Sequence, residues 1–188
     1  EAVKTGLLPE EGIVLAVAAK MREYGVERLV VDPVMIATSG RRLASPAAVA
    51  ALRESLLPLA LLVTPNLPEA GLLAGMEVDG AAAMEEAARR IYALGARNVL
   101  VKGGHLKGEA VDLLYDGREF VRFAGPRLPG PDVRGTGCIL SAAIAAQLAL
   151  GNDLRAAVAA AKAYVAEQIA GALSLGRAAR LAIHPGQS

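Results

Sequence analysis

Val133-Arg134-Gly135-Thr136-Gly137-Cys138-Ile139-Leu140-Ser141 sets two glycines and the only cysteine of the chain at the mouth of a long apolar helix. The apolar positions beyond it, Ile139, Leu140, Ala143, Ile144 and Leu148 among them, continue towards Gly151. Gly135 to Cys138 are therefore expected to present free backbone N–H groups at a helix N-terminus, where the helix dipole favours negative charge such as that of a phosphate. Gly135 and Gly137 suit a backbone curling round an anion, which needs positive φ or a close approach that a Cβ would obstruct. The same field would stabilise a thiolate at Cys138. On these four residues alone, a glycine turn feeding a core helix with a packed cysteine reads equally well, so the rest of the chain has to decide.

The chain has 188 residues, 54% of them hydrophobic and 3% aromatic. A core of Ala, Leu, Val and Ile is the usual content of helices packed on a parallel sheet. No apolar run approaches the ~20 residues that a membrane-spanning helix needs. A net charge of +1 without a basic run argues against a nucleic-acid surface and leaves small anionic ligands open. One cysteine allows no intramolecular disulfide, and two histidines argue against a Cys/His zinc cluster. The cytoplasm is the expected compartment.

Outward from the glycine stretch, strands and helices alternate. Glu1 to Leu8 reads as the end of a strand running into a loop. Pro9-Glu10-Glu11 opens a helix with apolar face Ile13, Val14, Val17, Ala18 and Met21, ended by Gly25. Arg28 to Val31 is a buried strand stopped by Asp32-Pro33, and Ser45-Pro46 caps an alanine-rich helix to about Leu57. Ala60 to Thr64 is the next strand, and Pro65 to Glu69 the turn into a short helix ending near Gly75. A helix over Ala83 to Leu94 leads to the strand Asn98 to Lys102. Val111 to Tyr115, Asp116-Gly117 and Glu119 to Phe123 form a hairpin, and Asn152-Asp153 caps a last helix over Leu154 to Leu173. This order predicts a single α/β domain over residues 1–188, with a mostly parallel sheet, helices on both faces and an antiparallel edge hairpin.

A parallel sheet of this kind gathers Asp32, Glu69, Lys102 and the Gly135 to Cys138 segment on the edge where its strands end, the usual ligand edge. Asp32 reads as a metal-side or phosphate-side acid, or equally as a turn residue before proline. Glu69, in the first turn of a helix, reads first as a partner of the helix dipole. Lys102 ends an apolar strand, an uncomfortable place for a merely solvated lysine, and is read as functional.

With these residues in hand, the chain resembles the ribokinase-like superfamily, and within it the hydroxymethylpyrimidine/phosphomethylpyrimidine kinases of thiamine biosynthesis. The matching pieces are Val31-Asp32-Pro33-Val34-Met35, Thr64-Pro65-Asn66-Leu67-Pro68-Glu69-Ala70, Val101-Lys102-Gly103-Gly104-His105-Leu106 and Gly135-Thr136-Gly137-Cys138-Ile139-Leu140-Ser141-Ala142-Ala143. Cys138 is the sharpest marker, because most of the superfamily has an aspartate base at that place. The resemblance implies a ribokinase-like fold, ATP and Mg2+ as cofactors, and phosphorylation of 4-amino-5-hydroxymethyl-2-methylpyrimidine and then of its monophosphate. It implies that Gly135, Thr136, Gly137 and Cys138 form an anion hole for the transferred phosphoryl group, with Cys138 accepting the substrate hydroxyl proton. Lys102 would lie against the nucleotide phosphates, with Thr136, Gly137 and Asn66 also on the ATP side. Asn66 and Glu69 match the Asn-x-x-Glu element that helps hold magnesium through water, and Asp32 would share that polar edge. Leu7 and Val34 would join Cys138 against the substrate.

The chain departs from the family pattern in places. Arg134 stands where a histidine is usual, Thr38-Ser39-Gly40 where a lysine is common, and Gly176-Arg177-Ala178-Ala179-Arg180 where the family has a Gly-His-Gly-Pro-like tail. These bear on substrate contacts. The family's opening Ala-Gly-x-Asp-x-Ser-Gly-Gly-Ala-Gly segment and a following Gln, which contact the pyrimidine, have no counterpart, since Lys4-Thr5-Gly6 matches a later part of the fold. The 188 residues alone are accordingly expected to bind ATP with magnesium, to phosphorylate the pyrimidine poorly or not at all, and to be either a homo-oligomer, a dimer, or marginally folded, because of an apolar sheet edge near Lys4. The rival readings are a pyridoxal-type vitamin kinase of the same superfamily and a non-catalytic nucleotide-binding remnant. A cysteine-nucleophile hydrolase is weaker, because only His105 and His184 could serve Cys138 as a base.

Overall fold

A computed structural model describes residues 1–37, 39–104, 110–125, 133–171 and 180–181. Thr38, His105, Leu106, His184, Leu173 and the Gly176 to Ala179 part of the tail, all invoked above, lie outside the described residues. Six strands make one sheet: β1 (Val3–Thr5), β2 (Leu29–Val31), β3 (Leu62–Val63), β4 (Val99–Val101), β5 (Ala110–Tyr115) and β6 (Phe120–Gly125). They lie side by side in chain order, with β1 to β4 parallel and β5 and β6 antiparallel, which is the mostly parallel sheet with an edge hairpin that the sequence predicts. A parallel pair cannot be joined by a tight turn, so a helix follows each of the first three strands: α1 (Glu11–Glu23), α2 (Pro46–Ala51), then α3 (Leu67–Ala74) and α4 (Ala81–Tyr92).

Strand alternation divides the core. Leu29, Val31, Val63, Val99, Val101 and Leu113 pack on one face with Val14 and Ala18 of α1, Ala48 of α2, Leu73 of α3 and Ile91 of α4. Val30, Leu62, Leu100 and Leu114 point the other way, against Leu140, Ile144 and Leu148 of α5 (Thr136–Ala149) and Ala157, Val158 and Ala161 of α6 (Leu154–Ala170). Each burial of a Leu, Ile or Val side chain on such a face stabilises by about 1.5–3 kcal/mol. Before α5, β7 (Val133–Arg134) pairs in parallel with β8 (Arg180–Leu181), so the backbone entering Gly135 is tied to the C-terminal segment.

Element ends depart from expectation for local reasons. The helix begun at Ser45, whose Oγ accepts Ala48 N–H at 3.1 Å, stays α-helical only to Ala51. A π-turn (Leu52–Leu56) and a 3-10 turn (Leu57–Leu59) complete it, because Pro58 has no N–H to continue the ladder. The helix expected over Ala83 to Leu94 starts earlier and ends at Tyr92. The last helix stops at Ala170, with Gly171 as its C-cap. Among the described residues no helix is long and apolar enough to cross a membrane.

Candidate active site

The alternation that sorts the core continues one residue past each strand. Lys4 pairs in register with Val30, while Asp32, Thr64 and Lys102 each follow by two a residue that packs against α5 and α6, namely Val30, Leu62 and Leu100. All four thus face the same side of the sheet at its carboxyl edge, under the start of α5. The ladder itself runs on there: Lys102 N–H donates to Pro65 O at 2.8 Å, Asp32 N–H to Thr5 O at 3.0 Å, and Asn66 bridges Lys102 in parallel.

Asp32 is the hub. It is 1% exposed, and its Oδ1 meets Lys102 Nζ at 3.0 Å and the Thr64 hydroxyl at 3.4 Å. Its Oδ2 accepts from Ser141 Oγ at 3.1 Å and lies 3.8 Å from Lys4 Nζ. Two ammonium groups and two hydroxyls stand round this buried carboxylate in place of water. Both oxygens are engaged, and Asp32 is the counter-ion of Lys102 and, at longer range, of Lys4.

Asn66 and Glu69 form a capping box at the start of α3. Asn66 Oδ1 accepts Glu69 N–H and Glu69 Oε2 accepts Asn66 N–H, each at 2.9 Å. Glu69 thus stands in the first turn of α3 as the partner of its N-cap. Burial nevertheless dominates its titration and lifts the carboxyl to about 6, against the pull of Lys102, with the Asp32 charge adding to the rise. Among the described residues no three His, Cys, Asp or Glu side chains converge as a metal cluster. A hollow of about 600 Å3 beside α3, lined by Ile36, Leu67, Gly71, Met76 and Val78 among others, includes none of the Asp32 cluster in its wall.

Gly135 is the N-cap of α5 with φ 87°, a left-handed conformation that costs a residue with a Cβ about 1–2 kcal/mol. Ile139 N–H donates to Gly135 O at 3.0 Å, so the N–H groups of Thr136, Gly137 and Cys138 precede the helical ladder and have no partner within it. A β-carbon on Gly137 would stand 3.1 Å from Lys102 Nζ, which puts the lysine ammonium directly against this first turn. Ser141, one turn on, is fully buried and holds α5 to Asp32.

The expected activation of Cys138 is corrected by the structure. Its residue is exposed at the surface, yet its thiol is held above its ordinary value, first by desolvation and next by the Asp32 charge, which outweigh Lys4 and Lys102. Burial and the Asp32 charge thus disfavour the thiolate in the free protein.

Lys4, Thr64 and Ser141 were not singled out from the sequence. The signal existed: Thr64 is the polar end of an apolar strand, as Lys102 is, Lys4 is a charged residue inside β1, and Ser141 is a lone hydroxyl on the apolar face of α5. Leu7, expected against the substrate, is 44% exposed after β1, and Val34 is half-buried beyond Asp32.

The sequence profile of the phosphomethylpyrimidine kinase family matches residues 1–182. Thiamine biosynthesis bifunctional protein ThiED of Geobacter sulfurreducens is 50% identical over 178 residues, 94% of this chain and 36% of that protein. Hydroxymethylpyrimidine/phosphomethylpyrimidine kinase of Rhizobium meliloti is 53% identical over 174 residues, 92% of this chain and 65% of its own length. The chain thus spans about a third and just under two thirds of these two relatives. In fold it is similar to an ADP complex of Bacillus subtilis pyridoxal kinase, with a TM-score of 0.91 at 39% identity over 97% of this chain and 70% of that one. It is similar also to phosphomethylpyrimidine kinase of Clostridium difficile, with a TM-score of 0.79 at 39% identity over 89% of this chain and 68% of that one.

Proposed function

Because the chain belongs to the phosphomethylpyrimidine kinase family, we propose that it transfers the γ-phosphoryl group of ATP to hydroxymethylpyrimidine and to its monophosphate. The observation that carries this reading is the juxtaposition of Lys102 Nζ and Gly137 at the N-terminus of α5. Three N–H groups precede the helical ladder of α5, Lys102 Nζ stands against that first turn, and Lys4 Nζ lies 3.8 Å from the same Asp32. Phosphoryl transfer asks a protein mainly to position the reactants and neutralise charge on the equatorial oxygens, and these are the groups that do so. Relatives support it: three named above carry thiamine-biosynthesis or pyrimidine-kinase names, and a structural neighbour holds ADP.

Magnesium, if carried with the nucleotide, would neutralise phosphate charge, and magnesium sites usually take one or two carboxylates with the remaining positions left to water and phosphate. Glu69 fits that demand as a buried acid whose charge is undercompensated, acting through water because Oε2 is held in the capping box. Asp32 would share this edge, its oxygens already paired with Lys102 and Ser141.

In the transfer, the substrate hydroxyl oxygen attacks the γ-phosphorus, the bond to the bridging oxygen of ADP breaks, and the hydroxyl proton passes to Cys138 Sγ. Only a thiolate can accept it, so the raised thiol makes the rate climb with pH. Lys102 follows the charge onto the leaving ADP. Leu7 and Val34 would line the ring's side of the site.

A single-turnover assay with γ-labelled ATP tests this against hydroxymethylpyrimidine, its phosphate and pyridoxal. Label in the pyrimidine phosphates is expected. Label in pyridoxal phosphate alone would favour the vitamin-kinase alternative, and tight ATP binding with no transfer to any ring would favour a nucleotide-binding remnant.

A further inference from the structure

Asp112 lies in β5 two residues before Leu114, on the α5 and α6 side of the sheet, and is 8% exposed. Its Oδ1 accepts Gly103 N–H at 3.0 Å, and its Oδ2 meets Lys162 Nζ of α6 at 2.8 Å. Lys162 also donates to the Phe123 carbonyl oxygen of β6. Gly103 leaves no room for a side chain, for a β-carbon there would fall 2.1 Å from Val111 O and 3.1 Å from Met84 Cε. The preceding amide, that of Lys102, is bound to Pro65 O at 2.8 Å. Two consecutive N–H groups are thus anchored by two different elements, the turn before α3 and a side chain of β5.

A buried ion pair is weak evidence for stability, since apolar residues of like volume often serve as well. The carboxylate is better explained by what it accepts. An ionised acceptor binds a backbone N–H about twice as strongly as a neutral one and so fixes the Gly103 peptide more firmly. That peptide sets where the Lys102 side chain departs.

We propose that Asp112, neutralised by Lys162, is a positioning residue that fixes the Gly103 peptide and thereby aims the Lys102 ammonium at Asp32 and the first turn of α5. Its effect on the reaction rests on the kinase reading. Its effect on Lys102 does not. Asp112 touches neither nucleotide nor substrate in this account and acts only through its neighbour.

The test uses the whole 188-residue chain and two readouts. The first, without nucleotide, is the NMR signal of the Lys102 ammonium and of the Gly103 amide. Asp112→Ala shifts both, whereas Asp112→Asn, which keeps a neutral and weaker acceptor for Gly103, shifts both less. The second is ATP–magnesium affinity in a double-mutant cycle with Lys102→Met. Asp112→Ala weakens binding about tenfold in the wild-type background and less than about twofold in the Lys102→Met background, because the two residues act as one unit. Asp112→Asn stays within about threefold of wild type. The proposal is overturned if the loss persists undiminished beside Lys102→Met, or if the Asn variant is as weak as the Ala variant. Should Asp112→Ala not fold, Asp112→Leu with Lys162→Met removes both charges at once, and the same tenfold loss is expected, an unchanged affinity being the contrary result. A wild-type chain that binds no ATP sinks the kinase reading, and the Lys102 signal then decides the positioning by itself: a shift in Asp112→Ala upholds it, an unmoved signal overturns it.

Discussion

Lys102 Nζ and Asp32 Oδ1 stand 3.0 Å apart in a nearly dry pair, the lysine 14% exposed and the aspartate 1%. The same ammonium borders Gly137, so one cation serves a buried acid and the mouth of a helix together. Removing it should cost stability and nucleotide affinity at once. Lys102→Met is expected to destabilise by about 1–3 kcal/mol, because Asp32 keeps Ser141, Thr64 and the more distant Lys4. ATP affinity should fall with or without magnesium. Chemical denaturation and calorimetry check the two parts, and an ATP affinity equal to wild type would remove Lys102 from the phosphate site.

Glu69 gives a pH dependence of defined sign. Its folded value is about 6 against an ordinary 4.5, so the folded protein holds this proton more tightly than the unfolded chain does. The associated stability is fully present below 4.5 and is lost as pH rises through about 6, a loss of about 2 kcal/mol. Glu69→Gln keeps a capping-box acceptor. It is expected to be more stable than wild type at pH 8, by up to about 2 kcal/mol, and level with it near pH 4. Thermal melts across that range decide. In the kinase assay the same variant should need more magnesium for half-maximal rate.

Cys138 should react slowly with iodoacetamide at neutral pH, since burial and Asp32 raise its thiol above its ordinary value. Alkylation should accelerate as pH climbs past about 8.5, the value of an unperturbed cysteine. Asp32→Asn removes a charge that disfavours the thiolate, so its Cys138 should alkylate faster than wild type at pH 8. A slower reaction in that variant would mean that Asp32 does not govern the thiol.

Gly135→Ala must hold a β-carbon at φ 87° with nothing within 4 Å to clash against. The cost is then conformational alone, about 1–2 kcal/mol, and is read by denaturant titration. A neutral substitution would show that α5 can begin in another way.

Much of this was legible in the residues. Alternating apolar runs and glycine stops disclosed the strand and helix order, and polar residues just past apolar strands marked the sheet edge at which Asp32 and Lys102 meet. Period-two alternation would also have placed Lys4 and Thr64 on the same face, had the register of β1 against β2 been known. Register is a tertiary fact, fixed by packing on both faces of a sheet. The thiol of Cys138 misled for a related reason. A helix N-terminus is local and visible, whereas the opposing Asp32 is 106 positions away in the chain and reaches the sulfur only through folding. Asp112 gave no motif at all, since its partners are a backbone amide and a lysine from another helix.

The central claim is that the first turn of α5 with Lys102 holds the phosphoryl group while Cys138 takes the substrate proton. Single-turnover transfer from labelled ATP to the pyrimidine monophosphate, measured for wild type and Cys138→Ala alongside their ATP affinities, tests it most directly. The expected result is a transfer rate lowered by about 100-fold or more with ATP affinity within about twofold of wild type. An unchanged transfer rate, or a loss of ATP binding as large as the loss of rate, would contradict the account.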